Sequence, residues 1–112
     1  MITVDNGITS VAEAAYAREV GIDLIVTDHH HAGEIIPDCI AVVNPQTSPD
    51  YTFKGLCGAG VTFKFINALM TKTKWSDERR RQIFSFYLPV IAIATVADVV
   101  PLQDENRMIV KK

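Results

Sequence analysis

The chain has 112 residues, of which 48% are hydrophobic, so it has the material for one small globular core and differs from a disordered segment. Its formal net charge of −2 argues against a domain that holds nucleic acid by bulk positive charge and leaves room only for a local basic groove. The two cysteines, Cys39 and Cys57, lack close metal-ligand spacing, and we expect reduced thiols and not a disulfide framework.

The sequence also predicts the cellular location of the protein. Two unpaired thiols and a polar-containing strand directly after Met1, in place of a signal peptide, are typical of a cytoplasmic protein. The longest apolar run, residues 88–97, is too short to cross a membrane and contains Pro89. We therefore expect no membrane partner.

The N-terminal part is predicted to form a βαβ unit. Residues 1–4 and 23–27 are short runs rich in β-branched side chains, typical of strands. Ser10 and Glu13 have capping-box spacing, which predicts a helix from near Val11. A strand, a helix and a strand with short links should be parallel with a right-handed crossover.

The first helix is predicted to end at Gly21, which supplies a C-terminal stop. Its alanines favour helix formation. Its apolar face is predicted to comprise four residues: Val11, Ala14, Ala15 and Val20.

The remaining chain is predicted to add one strand and further helices. Residues 40–43 should form a third strand that ends at Asn44-Pro45. A helix should run from Gly58 to about Thr71, and Ser76 should begin another, which Pro89 should kink or restart. The apolar face of the earlier helix is predicted to comprise Phe63, Phe65, Ile66, Leu69 and Met70, and Phe84, Phe86 and Tyr87 are expected in the core. We therefore expect an α/β fold: a three-layer α/β/α arrangement with a mostly parallel sheet.

Polar residues follow two of these strands. Asp5 follows the first strand, and Asp28, His29 and His30 follow the second. The carboxyl ends of parallel strands are where ligands gather, and a carboxylate–imidazole set suits Mn²⁺, Mg²⁺ or Zn²⁺. Alternatively, Asp28 caps a turn and the histidines are merely solvated.

Five motifs together resemble the DHH phosphoesterase superfamily. In order they are Val4-Asp5-Asn6-Gly7, Thr27-Asp28-His29-His30, Val43-Asn44-Pro45, Cys57-Gly58-Ala59-Gly60-Val61, and Thr95-Val96-Ala97-Asp98-Val99-Val100-Pro101-Leu102 followed by Glu105-Asn106-Arg107. Asp-His-His alone is a weak signal, but the ordered set covers nearly the whole chain. The last motif favours the branch of single-stranded-DNA-specific exonucleases.

This resemblance implies a two-metal phosphodiester hydrolase that uses Mn²⁺ or Mg²⁺ and cuts single-stranded DNA from 5′ to 3′. Asp5 resembles the carboxylate that bridges the metals, and His29 and Asp98 resemble ligands of one of them. Asp28 would orient the imidazoles, and His30 would contact metal or phosphate. The helix start at Gly58 and Gly60 could present N–H groups to a phosphate.

Each of these roles has a plainer alternative. Asp5 could serve turn chemistry, Asp98 could cap a helix end, and the glycine pair could allow close packing. Three consecutive arginines, Arg79, Arg80 and Arg81, are more often a solvated helix face than a nucleic-acid contact.

The family pattern also includes parts that residues 1–112 do not carry. These are an Asp-rich motif upstream and a C-terminal substrate-binding domain. We therefore expect the chain to be a partial DHH domain of a longer protein, with at most one complete metal site, inactive alone, and prone to self-association through an unpaired sheet edge. The alternatives are a phosphoesterase acting on short oligonucleotides, cyclic dinucleotides or pyrophosphate, and a non-catalytic binding module.

Overall fold

A computed structural model describes residues 1–111 as a three-stranded sheet with four α-helices. The strands are β1 (Ile2–Val4), β2 (Ile25–Thr27) and β3 (Ala41–Val43), and a 3₁₀ turn spans Pro45–Thr47. The helices are α1 (Val11–Glu19), α2 (Gly58–Lys72), α3 (Asp77–Ala97) and α4 (Asp104–Lys111). None of the described helices is long and apolar enough to cross a membrane.

The sheet is parallel throughout, with the strands in the order β1-β2-β3. Hydrogen bonds continue one residue past the strands: Asp5 N–H donates to Thr27 O over 3.0 Å, and Asp28 N–H donates to Val43 O over 3.1 Å. The sheet itself therefore places both carboxylates at its C-terminal edge, as predicted.

The two faces of the sheet are covered by different helices. Val26 packs with Ala14 and Ala17 of α1, in a small core that also contains Leu24. The next residue, Thr27, points to the opposite face, where its Oγ1 lies 3.2 Å from Thr62 Oγ1 of α2. The predicted three-layer α/β/α arrangement is confirmed.

The predicted details of α1 are partly wrong. Ser10 makes no side-chain capping bond, because its N–H donates to Gly7 O in a turn that leaves its backbone at φ −83°, ψ 59°. The buried residues are Ala14 and Ala17, one turn apart, whereas Ala15 and Val20 are exposed. Ala15 lies about 100° around the helix from Ala14, and the short strands offer α1 only a narrow contact.

The predicted restart of the helix at Pro89 is also wrong, whereas the alternative of a kink stays a prediction. Ser76 begins α3 as expected, with its Oγ accepting a hydrogen bond from Arg79 N–H, but the helix then runs unbroken to Ala97. Pro89 removes one backbone donor, yet α3 packs against both α2 and α4, and these contacts hold it continuous.

Several aromatic and aliphatic side chains expected in the core are exposed. On α2, Ile66 and Leu69 face outward while Met70 is buried. On α3, Phe86 and Tyr87 are exposed and pack edge to face with each other.

Candidate metal centre

Asp5 reaches the centre of the site through an unusual backbone conformation. Its φ of 63° lies in the left-handed region, so the chain turns sharply as it leaves β1. The carboxylate then lies against Gly58 at the start of α2, where any Cβ would overlap it. A glycine at position 58 is therefore what admits the carboxylate.

His29 lies between two carboxylates. Its Nε2 is 3.1 Å from Asp5 Oδ1 and 3.4 Å from Asp98 Oδ2, and its side chain is only 13% exposed. Although it is buried, Nε2 makes no hydrogen bond with any described residue. A buried imidazole nitrogen without a hydrogen bond, flanked by two anionic oxygens, fits a divalent cation.

Asp28 holds the second imidazole. It is buried, and its Oδ1 lies 2.7 Å from His30 Nδ1, while its Oδ2 accepts from Ile8 N–H over 3.0 Å. An ionised carboxylate only accepts, so Nδ1 is the donor and Nε2 of His30 remains free to bind a metal. Asp28 therefore orients the His30 ring, whereas the His29 ring meets Asp5 and Asp98.

These hydrogen bonds also set the charges. Burial acts to raise the pKa of Asp28, but the bonds donated by Ile8, the His30 ring and the backbone of His29 and His30 outweigh it and lower the pKa. The hydrogen bond to Asp28 in turn raises the pKa of His30. Asp28 thus stays anionic although it is buried.

The tightest group of donor atoms differs slightly from the predicted ligand set. Asp5, His29 and His30 each offer one atom within 4.8 Å of the others. Asp98 adjoins this group through His29 Nε2. Together these four residues present two carboxylates and two imidazoles, which suits a divalent cation such as Mn²⁺ or Mg²⁺.

The position of Asp98 is compatible with both roles considered for it, capping the end of α3 and binding a metal. It is the C-cap residue of α3, and its N–H donates to Ala94 O over 2.9 Å. Its carboxylate also approaches His29, while the next residue, Val99, adopts φ 57° and carries the chain away. Capping a helix and facing the centre are therefore compatible.

The glycine pair divides into two different environments. Gly58 faces Asp5, as described above. Gly60 N–H donates to Cys57 Sγ over 3.4 Å, so this N–H is already engaged in capping α2. Gly58 is the glycine that borders the cavity formed with Asp5 and Asp98, and phosphate binding at Gly58 and Gly60 stays a prediction.

The three arginines, Arg79, Arg80 and Arg81, make their contacts near the start of α3. Arg79 lies over the Trp75 ring, 5.1 Å from its centroid, and Arg80 and Arg81 pair with acids one turn earlier in α3. Arg79 and Arg81 therefore fit the interpretation as a solvated helix face, whereas the Arg80 side chain is only 26% exposed and also donates to Thr71 Oγ1 of α2 over 2.7 Å.

Two buried asparagines were missed by sequence reasoning. Asn44 donates from Nδ2 to His30 O over 2.9 Å, so it fixes the backbone beside the free imidazole. Asn106 bonds to two loops at once. Both belong to motifs that carried the family resemblance. Asn44 directly follows an apolar strand, which was an available signal, whereas Asn106 stands between Glu105 and Arg107, where an amide gives no signal of burial.

Comparison with known proteins agrees with this geometry. A protein-family model with the description "DHH family, N-terminal domain" matches residues 1–95. The single-stranded-DNA-specific exonuclease RecJ of Bacillus subtilis (strain 168) is 47% identical over 110 residues, covering 97% of this chain and 13% of that protein. The protein of the same name from Escherichia coli (strain K12) is 43% identical over 115 residues, covering 97% of this chain and 20% of its own length.

Solved structures give the same result. A crystal structure of exonuclease RecJ bound to manganese superposes with a TM-score of 0.82 at 39% identity, covering 98% of this chain and 26% of that one. RecJ from Thermus thermophilus in complex with Mn²⁺ gives a TM-score of 0.81 at 39% identity, covering 98% of this chain and 16% of that one. The chain thus spans a fifth or less of the two curated relatives named above, and with its motifs, its fold and this family match it belongs to the DHH family.

Proposed function

We propose that this chain is the part of a DHH phosphoesterase domain that holds a divalent cation, Mn²⁺ or Mg²⁺, between Asp5, His29 and Asp98. The observation that carries the proposal is the buried Nε2 of His29, flanked by two carboxylates and without a hydrogen bond. Similar proteins of known structure are described as holding manganese, which supports the choice of Mn²⁺.

The chemistry follows from the residues that face this space. A bound divalent cation supplies polarisation of a phosphodiester oxygen and activation of water. Asp5, which would bridge the cations of a two-metal site, lies against Gly58 and keeps its carboxylate in place. Asp28 keeps His30 in one tautomer, so the free Nε2 of His30 would be available to a metal or to a phosphate oxygen.

We further propose that the substrate is single-stranded DNA, cut from 5′ to 3′ by two metals within a longer protein. The names of the relatives support single-stranded DNA as the substrate, and the small share of their length that this chain spans supports a longer protein. The polarity and the two metals rest on the resemblance of the motifs. Other parts of such a protein would supply the remaining ligands of the second metal and the surface that holds the strand.

Calorimetric titration with Mn²⁺ tests the metal site. We expect weak binding by the unaltered chain and at least a tenfold loss of affinity in His29→Ala, since the imidazole supplies a ligand directly. The matched control is His31→Ala, a neighbouring exposed histidine, which should bind as the unaltered chain does. Equal Mn²⁺ affinity in His29→Ala and the unaltered chain would reject the site.

A further inference from the structure

Asn106 is a polar residue at the centre of the contacts between α4 and the rest of the molecule. It is fully buried, and its Nδ2 donates two hydrogen bonds, to Gly55 O over 2.6 Å and to Pro101 O over 2.9 Å. One amide group therefore ties two loops to the same helix.

Each of these loops carries part of the metal centre. Gly55 lies two residues before Cys57, which caps α2, and three before Gly58, against which the Asp5 carboxylate rests. Pro101 lies three residues after Asp98. The two bonds of Asn106 thus fix the start of α2 and the exit from α3 relative to each other, on either side of His29.

Packing alone does not account for this residue. The Oδ1 atom of Asn106 is buried without a hydrogen-bond partner, which lowers stability compared with an apolar side chain of similar size. The other polar links of α4 run through Glu105, which is partly exposed. Asn106 is the internal connection between the helix and both loops.

We propose that Asn106 is a positioning residue for the metal centre: it sets the separation between the Asp98 carboxylate and the Asp5 carboxylate on Gly58. The proposal rests on the metal binding proposed above. It predicts that loss of the Nδ2 bonds weakens metal binding even where the chain remains folded, because the carboxylates then no longer lie at the separation that His29 and the cation require.

The test compares Asn106→Ala and Asn106→Ser with the matched control Asn67→Ala, which removes an amide from α2 that makes no side-chain hydrogen bond among the described residues. Circular dichroism gives the melting temperature of each variant, and Mn²⁺ affinity is measured by calorimetry well below it. We expect at least tenfold weaker binding in both Asn106 variants, together with shifted NMR signals of the Asp98 and Gly58 amides in the metal-free chain. A lowered melting temperature with unchanged affinity and unchanged amide signals overturns the proposal.

A reciprocal measurement needs no variant. If the Asn106 bonds favour metal binding, metal binding must favour the bonds by the same factor. Saturating Mg²⁺ should therefore slow hydrogen exchange of the Asn106 side-chain amide in the unaltered chain more than that of the core amide of Val26. Equal slowing at both positions overturns the inference, whereas failure of the unaltered chain to bind either cation overturns the proposed function instead.

Discussion

At the scale of one residue, Asp28 is a buried carboxylate that is kept ionised mainly by hydrogen bonds from the backbone. The carboxylate is buried at the end of β2, where desolvation alone would raise its pKa. Three backbone N–H groups and the His30 ring supply hydrogen bonds that hold the charge. The residue therefore stabilises the loop after β2 and orients an imidazole at once.

Replacing Asp28 with asparagine should be costly for the fold. The asparagine amide keeps the shape of the carboxylate but loses its charge, and its NH₂ group would face the Ile8 N–H or the His30 ring, which are themselves donors. Hydrogen bonds to charged groups contribute about 1.5–3 kcal/mol each. We expect Asp28→Asn to lower the free energy of unfolding in urea by about 2–3 kcal/mol. Asp50→Asn, the same change at an exposed acid, should have little effect. Equal unfolding midpoints for the two variants would contradict this account of Asp28.

Gly58 is the residue whose missing side chain matters. Alanine at this position favours a helix start by up to about 1 kcal/mol, but its Cβ would occupy the place of the Asp5 carboxylate. We expect Gly58→Ala to bind Mn²⁺ at least tenfold more weakly while its melting temperature changes little, as measured by calorimetry and circular dichroism. Gly33→Ala is the matched control, because a Cβ there meets no atom within 4 Å. Full affinity in Gly58→Ala would mean that Asp5 is not a ligand.

At the scale of elements, α4 is joined to α2 and to the loop before it by Glu105. Its Oε1 accepts from Tyr51 OH over 2.8 Å, and its Oε2 accepts from Lys64 Nζ over 2.7 Å. Burial acts to raise the pKa of Glu105, but these two bonds outweigh it and lower the pKa below the ordinary value of 4.5. The link therefore depends on an ionised carboxylate.

The contribution of Glu105 to stability should be lost in acid. Because its pKa is lower in the folded state, the contribution is complete above about pH 4.5 and disappears as the pH falls through the folded value. Both partners are partly exposed, so the effect should stay below about 1 kcal/mol. Urea unfolding of Glu105→Gln at pH 7 and pH 3 should show a deficit only at pH 7. The exposed Glu19→Gln is the control, and a deficit of the same size at both pH values would count against this linkage.

The elements differ in how far the sequence could predict them. The βαβ unit follows from local patterns: β-branched runs, alanines and Gly21 each indicate their own structure. The continuity of α3 through Pro89 does not, because it depends on packing by α2 and α4. The buried face of α1 was predicted only in part, at Ala14, because alanines of one helix cannot be told apart until the sheet beneath them is known.

In the candidate metal centre too, local features could be predicted from the sequence and long-range contacts could not. Asp28, His29 and His30 are consecutive, so their common place at the end of a strand could be predicted. The bond from Asn106 to Gly55 joins positions 51 residues apart, and no local pattern predicts that pairing. The conformation of Asp5 likewise depends on the start of α2 reaching the end of β1.

At the scale of the whole molecule, the chain combines a candidate metal centre with a slightly negative net charge. Its candidate ligands are Asp5, His29, His30 and Asp98, its net charge is −2, and the three consecutive arginines of α3 pair with acids of the same helix or lie over Trp75. Proteins that bind single strands usually combine a basic groove with stacking aromatic residues.

The chain alone should therefore show little or no exonuclease activity on single-stranded DNA with Mn²⁺. Positioning and charge stabilisation supply most of the acceleration in phosphoester hydrolysis, so we expect turnover at least about a thousandfold below that of a longer DHH enzyme. The measurement is digestion of a 5′-labelled oligonucleotide, with His29→Ala as the control for a contaminating nuclease. Strong digestion that disappears in His29→Ala would show that the chain completes its second metal site in another way, for example across a dimer.

The left-handed backbone at Asp5 and Val99 has a consequence for laboratory evolution. Val99 is β-branched and 87% exposed, so nothing in its packing offsets its φ of 57°. Selection for heat resistance alone would favour glycine at both positions, because glycine adopts this conformation without strain. Val99→Gly would loosen the exit that directs Asp98, and Asp5→Gly would remove a carboxylate that is proposed to hold the metal. Selection for heat resistance alone would thus remove the proposed metal centre and leave the hydrophobic core unchanged.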